Sequence, residues 1–188
     1  MSTPDKRTAA VLFGQAMDTA RTDGNYEEAV RLFTEALQHD PNNGEIYHNR
    51  GMAYRNLERW GEALSDFSRA ISLSPHPSSY EQRGLAYYQI GDRGQAFKDW
   101  QQALRMDARR TFAVINLAWL SIEERQFSQA IELCSRAILI EPTLAKAYQN
   151  RARAYLGMGD QTRSLADLQT ARELVASGRD TSDIDQSE

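Results

Sequence analysis

One block of sequence returns along this chain at a near-constant interval, and that repetition limits the fold more than any single residue does. Tyr47-His-Asn-Arg-Gly-Met-Ala-Tyr54 reappears as Tyr80-Glu-Gln-Arg-Gly-Leu-Ala-Tyr87 and as Tyr148-Gln-Asn-Arg-Ala-Arg-Ala-Tyr155, at offsets of 33 and then 68, twice 34. A second block follows each copy: Ala63-Leu-Ser-Asp-Phe-Ser-Arg-Ala70, Ala96-Phe-Lys-Asp-Trp-Gln-Gln-Ala103 and Ser164-Leu-Ala-Asp-Leu-Gln-Thr-Ala171. Weaker copies stand at 29–36 and 130–137, and Pro41, Pro75 and Pro142 each fall five residues after a block's last alanine. A period of this length marks an array of small units, each unable to bury its apolar face without its neighbours. Five units cover 10–43, 44–76, 77–110, 111–144 and 145–178 of the 188 residues. Residues 1–9 read as a flexible lead-in, and the acidic, polar stretch 179–188 as a disordered tail.

Both blocks have helical spacing. Tyr47, Gly51 and Tyr54 recur at i, i+4 and i+7, as do Ala63, Phe67 and Ala70, which puts each set on one stripe of a 3.6-residue helix. Turn residues lie between the blocks, at Gly24-Asn25, Gly91-Asp92 and Gly159-Asp160. Proline after the second block cannot continue a helix. The reading is all-α: five helical hairpins, about ten helices, each a helix A followed by a helix B. The small residues Gly51 and Gly84 are expected to face Ala63 and Ala96 across the hairpin seam.

This pattern resembles the tetratricopeptide repeat family. The carrying residues are an aromatic, Arg-Gly or Arg-Ala, and Tyr on helix A, with Ala, Phe or Trp, Ala and Pro in and after helix B. The resemblance implies a right-handed solenoid whose A helices line a concave groove for a protein partner. Some family members clamp a chaperone's C-terminal carboxylate with Lys, Asn and Arg. Here Gly14, Asp18, Ser78 and Gln82 stand at clamp positions and only Asn49 fits, so that function is not carried over.

Comparing the units with one another shows a linked exchange. Arg50, Arg83 and Arg151 lie on the apolar stripe of helix A, and Asp66, Asp99 and Asp167 follow sixteen residues later in helix B. The other two units hold Ala16 with Leu32 and Leu117 with Leu133. An unpaired charge on a buried stripe is costly. The exchange therefore predicts three structural Arg–Asp pairs.

Composition excludes several functions. With 22 basic and 26 acidic residues the chain carries a formal charge of −4, without the basic patch a nucleic-acid or anionic-membrane surface requires. No apolar run approaches membrane-spanning length, and no apolar stretch follows the opening Met1-Ser-Thr-Pro-Asp-Lys-Arg7, so no secretory signal is read. The single cysteine, Cys134, takes the hairpin position of Phe67 and Trp100 and reads as an inert core thiol in a reducing compartment. The cytoplasm is the expected location. His39, His48 and His76 make no metal-ligand spacing, and Glu45 with His48 is a lone carboxylate–histidine pair. No phosphate loop or nucleophile elbow appears. We expect no catalysis, cofactor or metal.

Where a partner would sit follows from the remaining face of helix A. In unit 4 that helix, Phe112-Ala-Val-Ile-Asn-Leu-Ala-Trp-Leu-Ser-Ile122, is apolar nearly all round. Hairpin packing uses Val114, Leu117, Ala118 and Ser121, which leaves Phe112, Ile115, Trp119 and Ile122 as a second apolar stripe. Leu85 and Tyr88 of unit 3 are expected to extend it, with Met52 and Arg55 on one side and Lys146, Gln149 and Arg153 on the other. Aromatic anchors of this kind dominate interface energetics. The expected function is a non-catalytic scaffold or adaptor that takes an apolar side chain of a partner segment near repeats 3 and 4, with the basic residues selecting acidic neighbours. The alternatives are a dedicated chaperone for an apolar client, similar to the secretion chaperones of the family, and a self-assembling structural subunit.

Overall fold

A computed structural model of the protein describes residues 5–22 and 24–182. Among them there are ten α-helices and no strand: α1 (Lys6–Thr22), α2 (Tyr26–His39), α3 (Gly44–Asn56), α4 (Trp60–Leu73), α5 (Pro77–Gln89), α6 (Arg93–Met106), α7 (Thr111–Glu123), α8 (Phe127–Ile140), α9 (Ala145–Gly157) and α10 (Gln161–Ala176). The chain divides into two compact units, Met1–Asp99 and Trp100–Glu188, and the division falls within α6.

In the first unit α1 packs on α2 and α3 on α4. Then α3 also rests on α2, and α5 on α4. Its core gathers Ala16, Ala29, Phe33, Ala36, Ile46 and Ala53. The second unit repeats the plan with α7 on α8, α9 on α10, and α9 seated on both α8 and α7. Val114, Ile115, Ala137, Leu144 and Ala147 form a core cluster there.

The turns inside the hairpins share one device. Gly24, Glu58, Gly91, Arg125 and Gly159 hold the same place in their units, and all five have φ between 55° and 87°. That left-handed conformation suits glycine. Glu58 and Arg125 adopt it at a steric cost that the two flanking helices must hold in place. Side-chain caps start several helices: Asn25 Oδ1 accepts from Glu28 N, Asn43 Oδ1 from Glu45 N, and Asp160 Oδ1 from Arg163 N.

Two expectations need correction. Residues 6–9, expected in a flexible lead-in, belong to α1, which begins at Lys6 and buries Ala9, with Thr8 N donating to Asp5 Oδ1. Residues 180–182, expected in a disordered tail, are held against the start of α9. Ala145 N donates to Asp180 Oδ1 at 2.9 Å and Lys146 N to Ser182 Oγ at 3.0 Å. The physical reason is that Leu144 offers α9 no side-chain cap, so the orphan amides of its first turn take their acceptors from the chain end. Residues 183–188 lie outside the described residues. The seam at Gly51 also accommodates the ring of Phe67: a Cβ on Gly51 would fall 2.8 Å from Phe67 Cε1.

Candidate partner-binding site

The three arginines on the A helices sit in matching surroundings. Arg50 Nε and Nη2 donate to the two carboxylate oxygens of Asp66 at 2.7 and 2.8 Å. Arg83 meets Asp99 at 2.8 and 2.9 Å, and Arg151 meets Asp167 at 2.8 Å twice. Each guanidinium also lies over two tyrosine positions or one, Arg50 by Tyr47 and Tyr54, Arg83 by Tyr80 and Tyr87, Arg151 by Tyr148. The hydrogen bond that each gives to its aspartate holds Arg83 and Arg151 above the usual arginine range. At Arg50, burial opposes the charge most, and the bond and attraction of Asp66 outweigh it.

Sequence reasoning missed a third partner. The remaining Nη1 of Arg50 donates to Thr34 Oγ1 at 3.0 Å, that of Arg83 to Ser68 Oγ at 3.2 Å, and that of Arg151 to Ser135 Oγ at 3.1 Å. Each hydroxyl belongs to helix B of the preceding repeat, so one side chain ties three helices. The signal was in the sequence: the same helix-B position holds Gln101 before unit 4, whose helix A carries Leu117 instead of arginine. With Nε, Nη1 and Nη2 each donating to a protein acceptor, this fork ties the seam.

The face proposed for a partner is only partly open. In the second unit Phe112, Trp119 and Ile122 are half-buried on α7. Ile115 is 9% exposed and packs with Val114, Leu144 and Ala147, so it belongs to the core and not to the contact stripe. The reason is that α9 seats against α7 and covers it. From α9, Lys146 and Arg153 are exposed and Gln149 is half-buried. The Arg153 guanidinium lies 4.9 Å from the centroid of the Trp119 ring. The structure thus brings Trp119 and Arg153 into one arrangement, a cation over an indole face.

In the first unit Met52, Leu85 and Tyr88 are half-buried, on α3 and α5. Arg55 is committed locally, with Nη1 donating to Gln82 Oε1 at 2.7 Å. Ser78 and Gln82 are 2% and 3% exposed, so two of the carboxylate-clamp positions are closed to a ligand. His48 Nδ1 pairs with Ser79 Oγ at 2.9 Å, and its ring packs on Phe67.

Among the described residues no group of three or more His, Cys, Asp or Glu side chains is placed to hold a metal. Nor is any helix long and apolar enough to cross a membrane. Cys134 is fully buried, and burial pushes its thiol up to about 12, which keeps it protonated and unreactive at neutral pH.

An all-α series of hairpins at a 34-residue period, each tied to its neighbour by short seams, is the architecture of a helical repeat protein. Models of the tetratricopeptide repeat match residues 18–47, 44–77, 77–110 and 145–174, and the chain belongs to that family. The DnaJ homolog subfamily C member 7 homolog of Schizosaccharomyces pombe is 38% identical over 90 residues, which is 41% of this chain and 18% of that protein. The chain therefore spans under a fifth of that relative's length. Among solved structures, MamA 41-end from Desulfovibrio magneticus RS-1 superposes with a TM-score of 0.80 at 21% identity, covering 94% of this chain and 98% of that one. YrrB, described as a tetratricopeptide repeat protein with an unusual peptide-binding site, gives 0.70 at 19% identity, over 90% and 88%. At these identities the likeness is one of fold.

Proposed function

We propose that the protein is a non-catalytic interaction scaffold that holds a partner segment on α7 and α9, anchored by an apolar side chain between Phe112, Trp119 and Ile122. The observation that carries this reading is the half-buried Trp119 with Arg153 over its ring. A solvated helix face ordinarily carries polar residues, and an indole left partly open beside a cation is a common anchor at interfaces. Lys146 and Arg153 favour a segment with acidic residues beside its apolar one. The peptide-binding description of YrrB, a protein of the same fold, is consistent with this assignment.

The test selects binders from a displayed library of short random peptides, using the full chain as bait. Recovered sequences should pair an apolar residue with Asp or Glu. Trp119→Ala should weaken them about tenfold or more while the circular dichroism and Tm stay close to the parent. Loss of fold in Trp119→Ala would make Trp119 a core residue, and selected peptides that bind the variant as well as the parent would place the site elsewhere.

A further inference from the structure

The repeats show how this fold uses the groove between one hairpin's two helices: the next helix lies in it. Thus α3 seats on α1 and α2, α5 on α3 and α4, and α9 on α7 and α8. Among the described residues no helix lies in the corresponding groove of α9 and α10. It remains as a concavity lined by Arg153, Leu168, Ala171, Arg172 and Val175.

Register shows what is uncovered. Val30 on α2 is 8% exposed beneath α3, whereas Leu165, its counterpart on α10, is 66% exposed. Leu37 and Ile71, both buried, have Arg172 as their counterpart in the last repeat. The last groove thus keeps an apolar floor and exchanges an apolar wall position for a cation. Neither Arg172 nor Arg153 has a carboxylate partner among the described residues.

We propose that this groove is a second docking surface, and that its occupant is an amphipathic helix of a partner protein with acidic residues in its first turn. Helix shape follows from the three filled grooves of the same kind. Polarity follows from the short turn that hands each helix to the next: the seated helix begins beside the C-terminal end of the one before, and Arg172 stands near that end of α10. Acidic residues there meet the guanidinium and also suit the positive end of their own helix. A second copy of this chain is disfavoured by the same argument, because α1 opens with Lys6 and Arg7, both exposed.

The test uses a fluorescent synthetic peptide of about 16 residues, long enough to be helical on docking. It carries leucines at i, i+3, i+4 and i+7 and glutamates in its first turn. A twin has lysines in place of the glutamates. Titrated with the full chain at low salt, the glutamate peptide should bind about tenfold more tightly than its twin, and Arg172→Glu should reverse that order. Both titrations are run in the Trp119→Ala background, which disables the surface on α7, so that the peptide preference and its response to Arg172→Glu report this groove alone. Equal binding of the two peptides, or indifference to Arg172→Glu, would overturn the proposal. So would a tenfold gain in affinity when Asp183→Asn, Asp185→Asn and Glu188→Gln are introduced together, since the chain's own end would then be the occupant.

Discussion

Hairpins α3–α4 and α7–α8 solve one packing problem with different side chains. In the first, Arg50 and Asp66 form a two-pronged ion pair, with Thr34 of the preceding repeat on the third edge. In the second, Leu117 and Leu133 stand at those places and Gln101 replaces the hydroxyl. One position further along, Gly51 accepts the fully buried ring of Phe67, where α7–α8 has Ala118 and the smaller Cys134 at the corresponding places, both fully buried. The difference teaches that the unit of exchange is the whole contact set. A charge on the seam needs its carboxylate and its hydroxyl, and in α3–α4 the ring of Phe67 closes on a residue with no Cβ, whereas the first hairpin buries Phe33 with Met17 at that place.

Breaking one member of a set should therefore cost far more than exchanging all of it. Asp66→Ala leaves a guanidinium whose side chain is only 17% exposed without its partner. We expect a loss of about 3 kcal/mol in urea unfolding, the low end for an orphaned buried charge because Arg50 still reaches some water. Converting the pair to the α7–α8 type, Arg50→Leu with Asp66→Leu, should recover stability to within about 1 kcal/mol of the parent, since apolar replacement of an ion pair is often neutral. A double variant as unstable as the single one would show that the two seams are not interchangeable.

Gly51→Ala probes the second difference. In an exposed helix this change usually stabilises by up to about 1 kcal/mol. Here the added methyl lands 2.8 Å from the Phe67 ring, and the ring has no room to retreat. Overpacking should reverse the sign and destabilise by about 1–3 kcal/mol. The converse change, Ala118→Gly, should cost about 1 kcal/mol for backbone entropy alone. Thermal melts of both variants read the contrast directly, and a raised Tm for Gly51→Ala would remove the close approach.

These contrasts also explain what could be read before any coordinates. The repeat period, the ten helices and the Arg–Asp spacing were legible because each recurs inside the chain, so one copy checks another. The hydroxyl at Thr34, Ser68 and Ser135 was missed because its partner lies in the next repeat and not in the same hairpin. Ile115 was misplaced because helical periodicity gives the direction of a side chain but not the neighbour that will cover it, here the start of α9. Asp180 capping α9 was illegible for a related reason. A contact between residues 35 apart, made once, leaves no repeat to compare.

The smallest effect at neutral pH concerns the place where α7–α8 puts Cys134 and α3–α4 puts Phe67. Cys134→Ala removes one buried atom and should cost about 1 kcal/mol. Its larger signature is in the pH dependence. Burial raises the native thiol to about 12, whereas the thiol of an unfolded chain ionises near about 8.5. Between those values the folded protein holds a proton that the unfolded chain releases. The thiol's contribution is therefore complete below about pH 8.5 and declines as pH climbs toward about 12, by at most about 1.4 kcal/mol per pH unit. Urea titrations of parent and Cys134→Ala across pH 7 to 10.5 should converge as the alkaline limb is entered, while Phe67 gives α3–α4 no such slope. If the two proteins stay separated by a constant amount, the thiol is ionising in the native state, and a thiol reagent would then label folded protein at pH 9.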